Sequence, residues 1–406
     1  MSLPTSPTIG RVLKADLCSG CGLCAGVAPQ SVAMETVQPG YSRPRVTAAV
    51  SVEDERKIAE ACPGSKVAPW HNAPARDPYW GPSIRILAGN ATDPEVRFAG
   101  SSGGALSALM IHALRTGLID RVLHISPDPE LPTRSRLHFS TTPEEVIANA
   151  GSRYAASSPL AQIDRILADE QRTGIIGKPC DISALRQLGT VDPRVAERVP
   201  LALSFFCGGL PSHAGADRIV RAMGLEPAEV TSFRYRGNGW PGMARAETAD
   251  GKVGEMSYAD SWGGHLSKEV QFRCKICPDA VGGVADIACA DAWYGDDDGY
   301  PSFDEQEGRS LIVTRTSTGE ALYQSALAAG EIEASPVPVR DIDRMQPAQA
   351  RRKRLIVGRT LACRVAGHSV PKMNDVDVKK AAAKASLAEQ SRNFFGMLRR
   401  IALGRK

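Results

Sequence analysis

No apolar run in this sequence reaches the length of a membrane-spanning helix, so an integral helical membrane protein is not expected. The opening residues, Met-Ser-Leu-Pro-Thr-Ser-Pro, hold neither a basic segment nor an apolar stretch, so a secretory leader is not expected either. Also missing are the Gly-x-Gly-x-x-Gly fingerprint of dinucleotide folds, the Walker phosphate loop and the nucleophile elbow of hydrolases. Internal repeats are absent, and nucleic acid is not an expected partner. What remains is a globular chain whose expected location is cytoplasmic. Its 406 residues, 43% of them hydrophobic, suffice for two or three domains. Its ten cysteines, with no export expected, point to metal or redox chemistry rather than a disulfide framework.

Three of those cysteines stand in Cys18-Ser-Gly-Cys21-Gly-Leu-Cys24. Zinc sites usually draw on separated pairs of ligands. Two successive two-residue spacings instead open the bacterial ferredoxin run Cys-x2-Cys-x2-Cys-x3-Cys-Pro, which wraps a 4Fe-4S cluster. The fourth position of the run is Ala28, followed by Pro29. In two-cluster ferredoxins that fourth cysteine serves the other cluster, so its loss removes a second cluster and leaves the first intact. The first then needs a remote Cys-Pro, which Cys62-Pro63 supplies. Cys18, Cys21, Cys24 and Cys62 are therefore read as one 4Fe-4S site, against a zinc knuckle or a chance triple.

Further along, Asn72 to Pro82 is rich in Pro and Ala and reads as a linker. Ile84 to Ala88 reads as a strand. Ser101-Ser102-Gly103-Gly104 then opens a helix whose apolar residues recur at helical spacing up to Gly117. Backbone N–H groups at such a helix start can hold a phosphate, although a serine N-cap explains the pattern equally well. Val122 to Ile125 reads as another strand, giving a βα unit. The apolar stretches Gly174–Gly177 and Val199–Phe206 read as strands that end at Cys180 and Cys207. Ligands in α/β sheets gather beyond the carboxyl ends of strands. Cys274-Lys-Ile-Cys277 adds two thiols at a spacing that lets both reach one metal. Cys180, Cys207, Cys274 and Cys277 thus form a second candidate site, for a 4Fe-4S cluster or one zinc. Cys289 and Cys363 are expected to be buried core thiols.

From Arg351 to Lys406 there are fifteen Lys and Arg against three Asp and Glu. This tail reads either as a solvated helical extension or as an element docking on an acidic partner or a membrane surface. Phe394, Phe395, Leu398, Ile401 and Ala402 share one face of its last helix, with Arg392, Arg399, Arg400 and Arg405 around it.

Taken in order, several segments resemble the β subunit family of coenzyme F420 hydrogenase and dehydrogenase, which also includes 7-hydroxymethyl chlorophyll a reductase and the ferredoxin-dependent divinyl chlorophyllide vinyl reductase. They are the ferredoxin-like cysteines, Ser101–Gly104, Gly151-Ser152-Arg153-Tyr154, Gly177-Lys-Pro-Cys180, Phe206-Cys207, Phe233 to Gly242, Cys274-Lys-Ile-Cys277 and Asp291-Ala-Trp293. The resemblance spans roughly residues 15–345. It implies an α/β fold with α+β elements. An N-terminal ferredoxin-like iron–sulfur module (1–75) would precede a mixed α/β flavin-binding domain in two segments, 83–160 and 161–345, with the basic helical tail (346–406) outside the match.

The same resemblance implies two 4Fe-4S clusters and FAD, and favours iron–sulfur over zinc at the second cysteine set. It puts Ser101, Ser102, Gly103, Gly104, Ser152, Arg153 and Tyr154 against FAD. Arg236, Asn238 and Trp240 would line the flavin or substrate side. The expected activity is a reductase that takes single electrons from ferredoxin or another electron donor and passes them through the clusters and FAD to an unidentified small-molecule substrate. Its proton-donor candidates, by residue type, are His265 and Tyr154. The rival readings are a non-catalytic electron-transfer subunit of a larger redox complex and a zinc-binding structural module.

Overall fold

The computed structural model describes residues 5–295 and 301–404; Arg405, expected beside the last helix, lies outside the described residues. Near the N-terminus β1 (Val32–Val37) and β2 (Tyr41–Val46) form an antiparallel hairpin. Short strands β3 (Ala75–Asp77) and β4 (Gly81–Ser83) pair next. Then β5 (Arg85–Ala91), β6 (Arg121–Pro127), β7 (Ser135–Ser140), β8 (Thr173–Gly177) and β9 (Leu201–Phe205) enter the main sheet. A separate three-stranded antiparallel sheet follows, made of β10 (Val230–Arg234), β11 (Ala244–Thr248) and β12 (Val253–Met256). The main sheet resumes with β13 (Ile287–Asp291), β14 (Ser310–Thr314) and β15 (Ile332–Pro336). Its order is β15-β5-β14-β13-β9-β8-β6-β7, eight strands in all.

Both faces of this sheet are covered, and the strands read accordingly as near-continuous apolar runs. On β14, Leu311 and Val313 enter one apolar cluster and Ile312 the other. Helix Pro179–Leu188 packs on the first face, through Ile182 and Leu185. Helices Ala105–Arg115 and Ser317–Ala328 cover the second, through Leu109, Leu322 and Tyr323. Four adjacent strands, β13, β9, β8 and β6, run parallel; β7 and β14 pair antiparallel on either side of them, and β5 and β15 extend the sheet beyond β14 through further antiparallel pairings. The carboxyl ends of β8, β9 and β13 therefore share one edge, and from it emerge Lys178–Cys180, Cys207 and Asp291.

The segments 83–160 and 161–345 are halves of this one sheet, because β6 pairs in parallel with β8 across their boundary. The expected linker is also ordered. It holds β3 and β4, buries Tyr79 and Trp80, and ties Trp80 Nε1 to Asp343 Oδ1 at 2.8 Å. Its Pro and Ala content reflects a tight turn under packed rings.

The basic tail is not a solvated extension. Helices Pro347–Arg354, Ile356–Val365 and Leu387–Ala402 fold back onto the N-terminal region. Ala362, Cys363 and Met397 share an apolar cluster with Val12, Cys18, Phe272 and Ile276. Phe394, Leu398 and Ile401 pack against it, whereas Phe395 is 65% exposed. The inward face of the last helix thus centres on Met397 and excludes Phe395. No helix among the described residues is long and apolar enough to cross a membrane.

Candidate functional site

Cys18 and Cys21 lie between helix Pro7–Lys14 and the single turn Leu23–Val27, which carries Cys24. Gly20 and Gly22 adopt φ of +76° and +84°, a left-handed conformation that turns the chain tightly between the cysteines. A Cβ at Gly22 would lie 2.8 Å from Ala161 N, so the loop also needs glycine to sit against residues 158–161. Cys62 caps the C-terminus of helix Val52–Ala61. The four thiols line one apolar cavity together with Ile9, Val12 and Ile58. Among the described residues no group of His, Cys, Asp or Glu side chains is arranged to hold a single metal ion; these thiols surround a space instead.

Burial pushes the Cys18 thiol up to about 11, with Arg43 and the Gly20 N–H opposing and Cys62 adding to the rise. Burial raises Cys21, Cys24 and Cys62 as well, and for Cys21 and Cys24 the neighbouring thiols add repulsion. Four thiols lining one apolar cavity would repel as thiolates unless positive charge arrives among them. Ala28, the vacant fourth position of the run, is 4% exposed and packs among Ile9, Ala25, Val32 and Ile58.

The second set assembles at the strand edge. Cys180 is in the first turn of helix Pro179–Leu188, Cys207 follows β9, and Cys274 lies on the turn Phe272–Lys275 with Cys277 just beyond. Their thiols interact electrostatically. Burial raises Cys180, where Cys207 and Cys274 add to the shift, and pushes Cys207 up to about 12, where Cys274 and Cys277 add. Leu210 N–H and Gln271 Nε2 point at Cys274 Sγ from 3.4 and 3.7 Å. Buried Lys178 stands beside Cys180 and Cys207. Burial opposes its charge, but Asp181 Oδ2 at 2.8 Å and the Cys180 thiol outweigh burial and hold its pKa above the ordinary lysine value.

The two sets meet along residues 271–277. Gln271 Nε2 donates to Ser19 O at 3.4 Å, and Arg273 Nη2 donates to Pro63 O at 3.1 Å. Burial raises Cys62 and Cys277, one thiol from each set, and the Arg273 charge opposes the rise at both. Arg273 Nε and Nη1 and Gln271 Oε1 are buried with no hydrogen-bond partner.

The expected flavin segments also converge. Ser101 Oγ accepts from Ser152 N–H. Arg234 Nη1 reaches Ala150 O at 3.2 Å and Ala99 O at 3.4 Å. Gly151 has φ of +103°, and a Cβ there would meet Arg234 Nη1 at 2.7 Å and Arg236 O at 2.9 Å. Residues 148–153 and 231–236 line a cleft of about 300 Å³. Several groups are already engaged within the protein. Ser102 Oγ bonds Arg309 O at 2.9 Å, and Gly103 lies against the backbone of Gly89 and Ser310. Arg153 is spent on Ser135 Oγ and on the carbonyls of Pro132 and Arg134. Gly104 caps helix Ala105–Arg115 without a side chain.

Arg236 is 2% exposed and makes a two-pronged pair with Asp291, at 2.8 and 2.6 Å. Burial opposes its charge and Asp291 outweighs burial, so the guanidinium stays protonated. It lies over Tyr258 and Trp293, at 4.5 and 4.9 Å from the ring centres. Trp240 stacks on Trp293 at 4.6 Å and donates to Asp291 Oδ1 at 2.7 Å. Asn238 is exposed, at φ of +55°. Tyr154 touches Trp262 (5.0 Å) and Tyr235 (5.8 Å). The Trp262 ring lies on Gly208, where a Cβ would approach it to 2.5 Å, so the ring stack reaches the residue after Cys207. His265 is half-buried on the π-helical turn Asp260–His265, and Trp262, not His265, is the member of that turn that meets Tyr154.

Sequence reasoning did not single out Lys178, Gln271, Arg273, Tyr258 or Trp262. Lys178 and Arg273 each lie within two residues of a candidate cysteine, which was a usable signal. Tyr258 and Trp262 gave none, because only tertiary packing brings that turn to Cys207.

This architecture is a mixed α/β fold with chemistry gathered at the carboxyl edge of its parallel strands. Two family models match the chain: the N-terminal part of the coenzyme F420 hydrogenase/dehydrogenase β subunit over residues 86–163, and its C-terminal part over 170–340. The chain belongs to that family. It is 25% identical over 272 residues to the coenzyme F420 hydrogenase subunit β of Methanosarcina barkeri, covering 64% of this chain and 84% of that one. It is 22% identical to the chloroplastic 7-hydroxymethyl chlorophyll a reductase of Oryza sativa subsp. japonica over 57% of this chain and 47% of that protein. In fold it resembles a chain of the F420-reducing NiFe hydrogenase complex of Methanosarcina barkeri, with a TM-score of 0.51 and 22% identity over 70% of this chain and 96% of that one.

Proposed function

We propose that this chain is an iron–sulfur flavoprotein oxidoreductase, passing single electrons from ferredoxin or a similar protein donor to a small-molecule substrate, with two 4Fe-4S clusters and FAD as cofactors. The observation that carries this reading is the meeting of two four-thiol sets along residues 271–277, with a ring stack beginning beside Cys207. Membership in a family whose named relatives are hydrogenase and dehydrogenase subunits and a reductase supports it.

Cys18, Cys21, Cys24 and Cys62 would hold one cluster, and Cys180, Cys207, Cys274 and Cys277 the other. Both sets fit: the thiols are buried or half-buried, and backbone N–H groups aim at sulfur from Gly20 and Leu210, each at 3.4 Å. Such donors tune cluster potential. Thiols raised by burial give up their protons when metal binds, so assembly is favoured as pH rises. FAD would lie along Ser101–Gly104, Ser152–Tyr154 and Arg236–Trp240. The start of helix Ala105–Arg115, where the cap Gly104 offers no side chain, is suited to a phosphate. When bound, the clusters exchange one electron at a time and the flavin couples such steps to two-electron chemistry. The chain's own part is to fix charge and exclude water. Asp291 keeps Arg236 protonated against Tyr258 and Trp293, and Trp262 covers Gly208. Tyr154, in reach of Tyr258, and, by residue type, His265 are the candidate proton donors.

Purification without oxygen, followed by iron, sulfide and flavin analysis and a visible spectrum, tests this. About eight irons and one FAD per chain are expected. About four irons would remove one thiol set from the proposal, and zinc without flavin would sink it.

A second reading is a non-catalytic relay subunit. It is favoured by relatives named as subunits of F420 hydrogenase and F420-dependent formate dehydrogenase. A loaded chain that reduces no organic acceptor alone, but does so once a partner subunit is supplied, selects it.

A further inference from the structure

Lys275, Arg351, Arg352, Arg359 and Arg400 form a cationic cluster on the outer side of the second thiol set. Arg359 Nη1 donates to Lys275 O at 3.1 Å and its Nη2 to Asn393 Oδ1 at 3.2 Å. Arg352 Nη1 donates to Cys207 O at 2.8 Å. Among the described residues none of these five cations closes an ion pair, while nearby Glu389 is taken by Arg354 at 2.8 Å. The cations repel one another. Burial, with Arg352, Arg400 and Arg351, pushes Arg359 down to about 10.

The cluster has two layers. Arg352 is turned inward, onto the carbonyls of Cys207 and Gly208. Arg351 and Arg400 are exposed and face Arg359, so they add repulsion and leave surplus charge at the surface. Like charges held together in the isolated chain cost stability, and an arriving face of carboxylates relieves that cost and gains steering. The cluster is fastened to the Lys275 carbonyl, between Cys274 and Cys277, which favours a redox protein over a lipid surface. All but Lys275 lie beyond residue 340, outside both family matches.

We propose that Arg351, Arg359 and Arg400 form the docking surface for a small acidic electron-transfer protein, seated over the second thiol set. The proposal rests on the redox reading above and names where the donor binds. The test measures binding of the full, anaerobically purified chain to a small acidic 4Fe-4S ferredoxin at low and moderate salt. Arg351→Glu/Arg400→Glu is compared with Arg56→Glu/Lys379→Glu, an equal charge change at exposed positions elsewhere. The first pair should raise the apparent Kd at least about tenfold and flatten its salt dependence, and the second pair should change it little. Iron content should match the parent in both. Equal loss in both pairs, no loss in the first, no binding by the parent, or tighter binding to phosphatidylglycerol vesicles than to the ferredoxin would each overturn the proposal. A chain that binds ferredoxin but carries no iron would leave the docking surface standing and defeat the redox reading instead.

Discussion

Ala28 and Cys62 divide one question between them. Ala28 is sealed among Ile9, Ala25, Val32 and Ile58, so a thiol placed there would face apolar side chains. Ala28→Cys should therefore leave iron per chain unchanged. Cys62→Ser removes a thiol from the cavity and should lose about half the iron while flavin is kept, as read by metal and flavin analysis on the same sample. Equal iron loss from both substitutions would contradict the four-thiol assignment. The cysteine spacing was legible because ligation chemistry dictates it. The lining of the Ala28 site was not, since it depends on residues from three separate segments.

At the scale of elements, the antiparallel pair β6 and β7 carries a pH dependence. His124 on β6 is 5% exposed, bonds Ser140 Oγ at 2.7 Å and faces His138 at 5.7 Å. Burial, with repulsion from His138, lowers its pKa to about 4. Folded, this imidazole stays neutral, whereas unfolded it takes up a proton near pH 6.5. Its contribution is present in full above pH 6.5 and is lost as pH falls toward 4, by up to about 1.4 kcal/mol per pH unit. Urea midpoints at pH 7 and pH 5 should differ less in His124→Gln than in the parent, and an unchanged difference would argue against this assignment. The strands themselves were readable. The stretches starting at Ile84, Val122, Gly174 and Val199 all became strands, because each is a short apolar run bounded by turn residues. The supposed linker misled, since Pro and Ala mark a turn whether or not rings pack beneath it.

For the whole molecule, the C-terminal helices complete the two thiol sets. Gln349 and Arg352 hold the Cys207 carbonyl, and Lys353 bridges Pro278 O and Val376 O. Lys372 pairs with the strand-like stretch after Cys62. Ending the chain after Met345 should give a protein with less than about a quarter of the parent's iron and a lower melting temperature, because Cys18 and Cys62 lose their cover. Full iron in the truncated chain would show that these helices are dispensable. No periodicity could foretell this wrap, because cationic side chains gripping distant carbonyls look, in sequence, like any solvated basic stretch. Arg273 then has a consequence for order in time. It serves Cys62 and Cys277 at once, so charge that arrives at one thiol set alters what the other feels. Were both sets filled as proposed, the coupling would be reciprocal: whichever filled first would change the charge its neighbour meets.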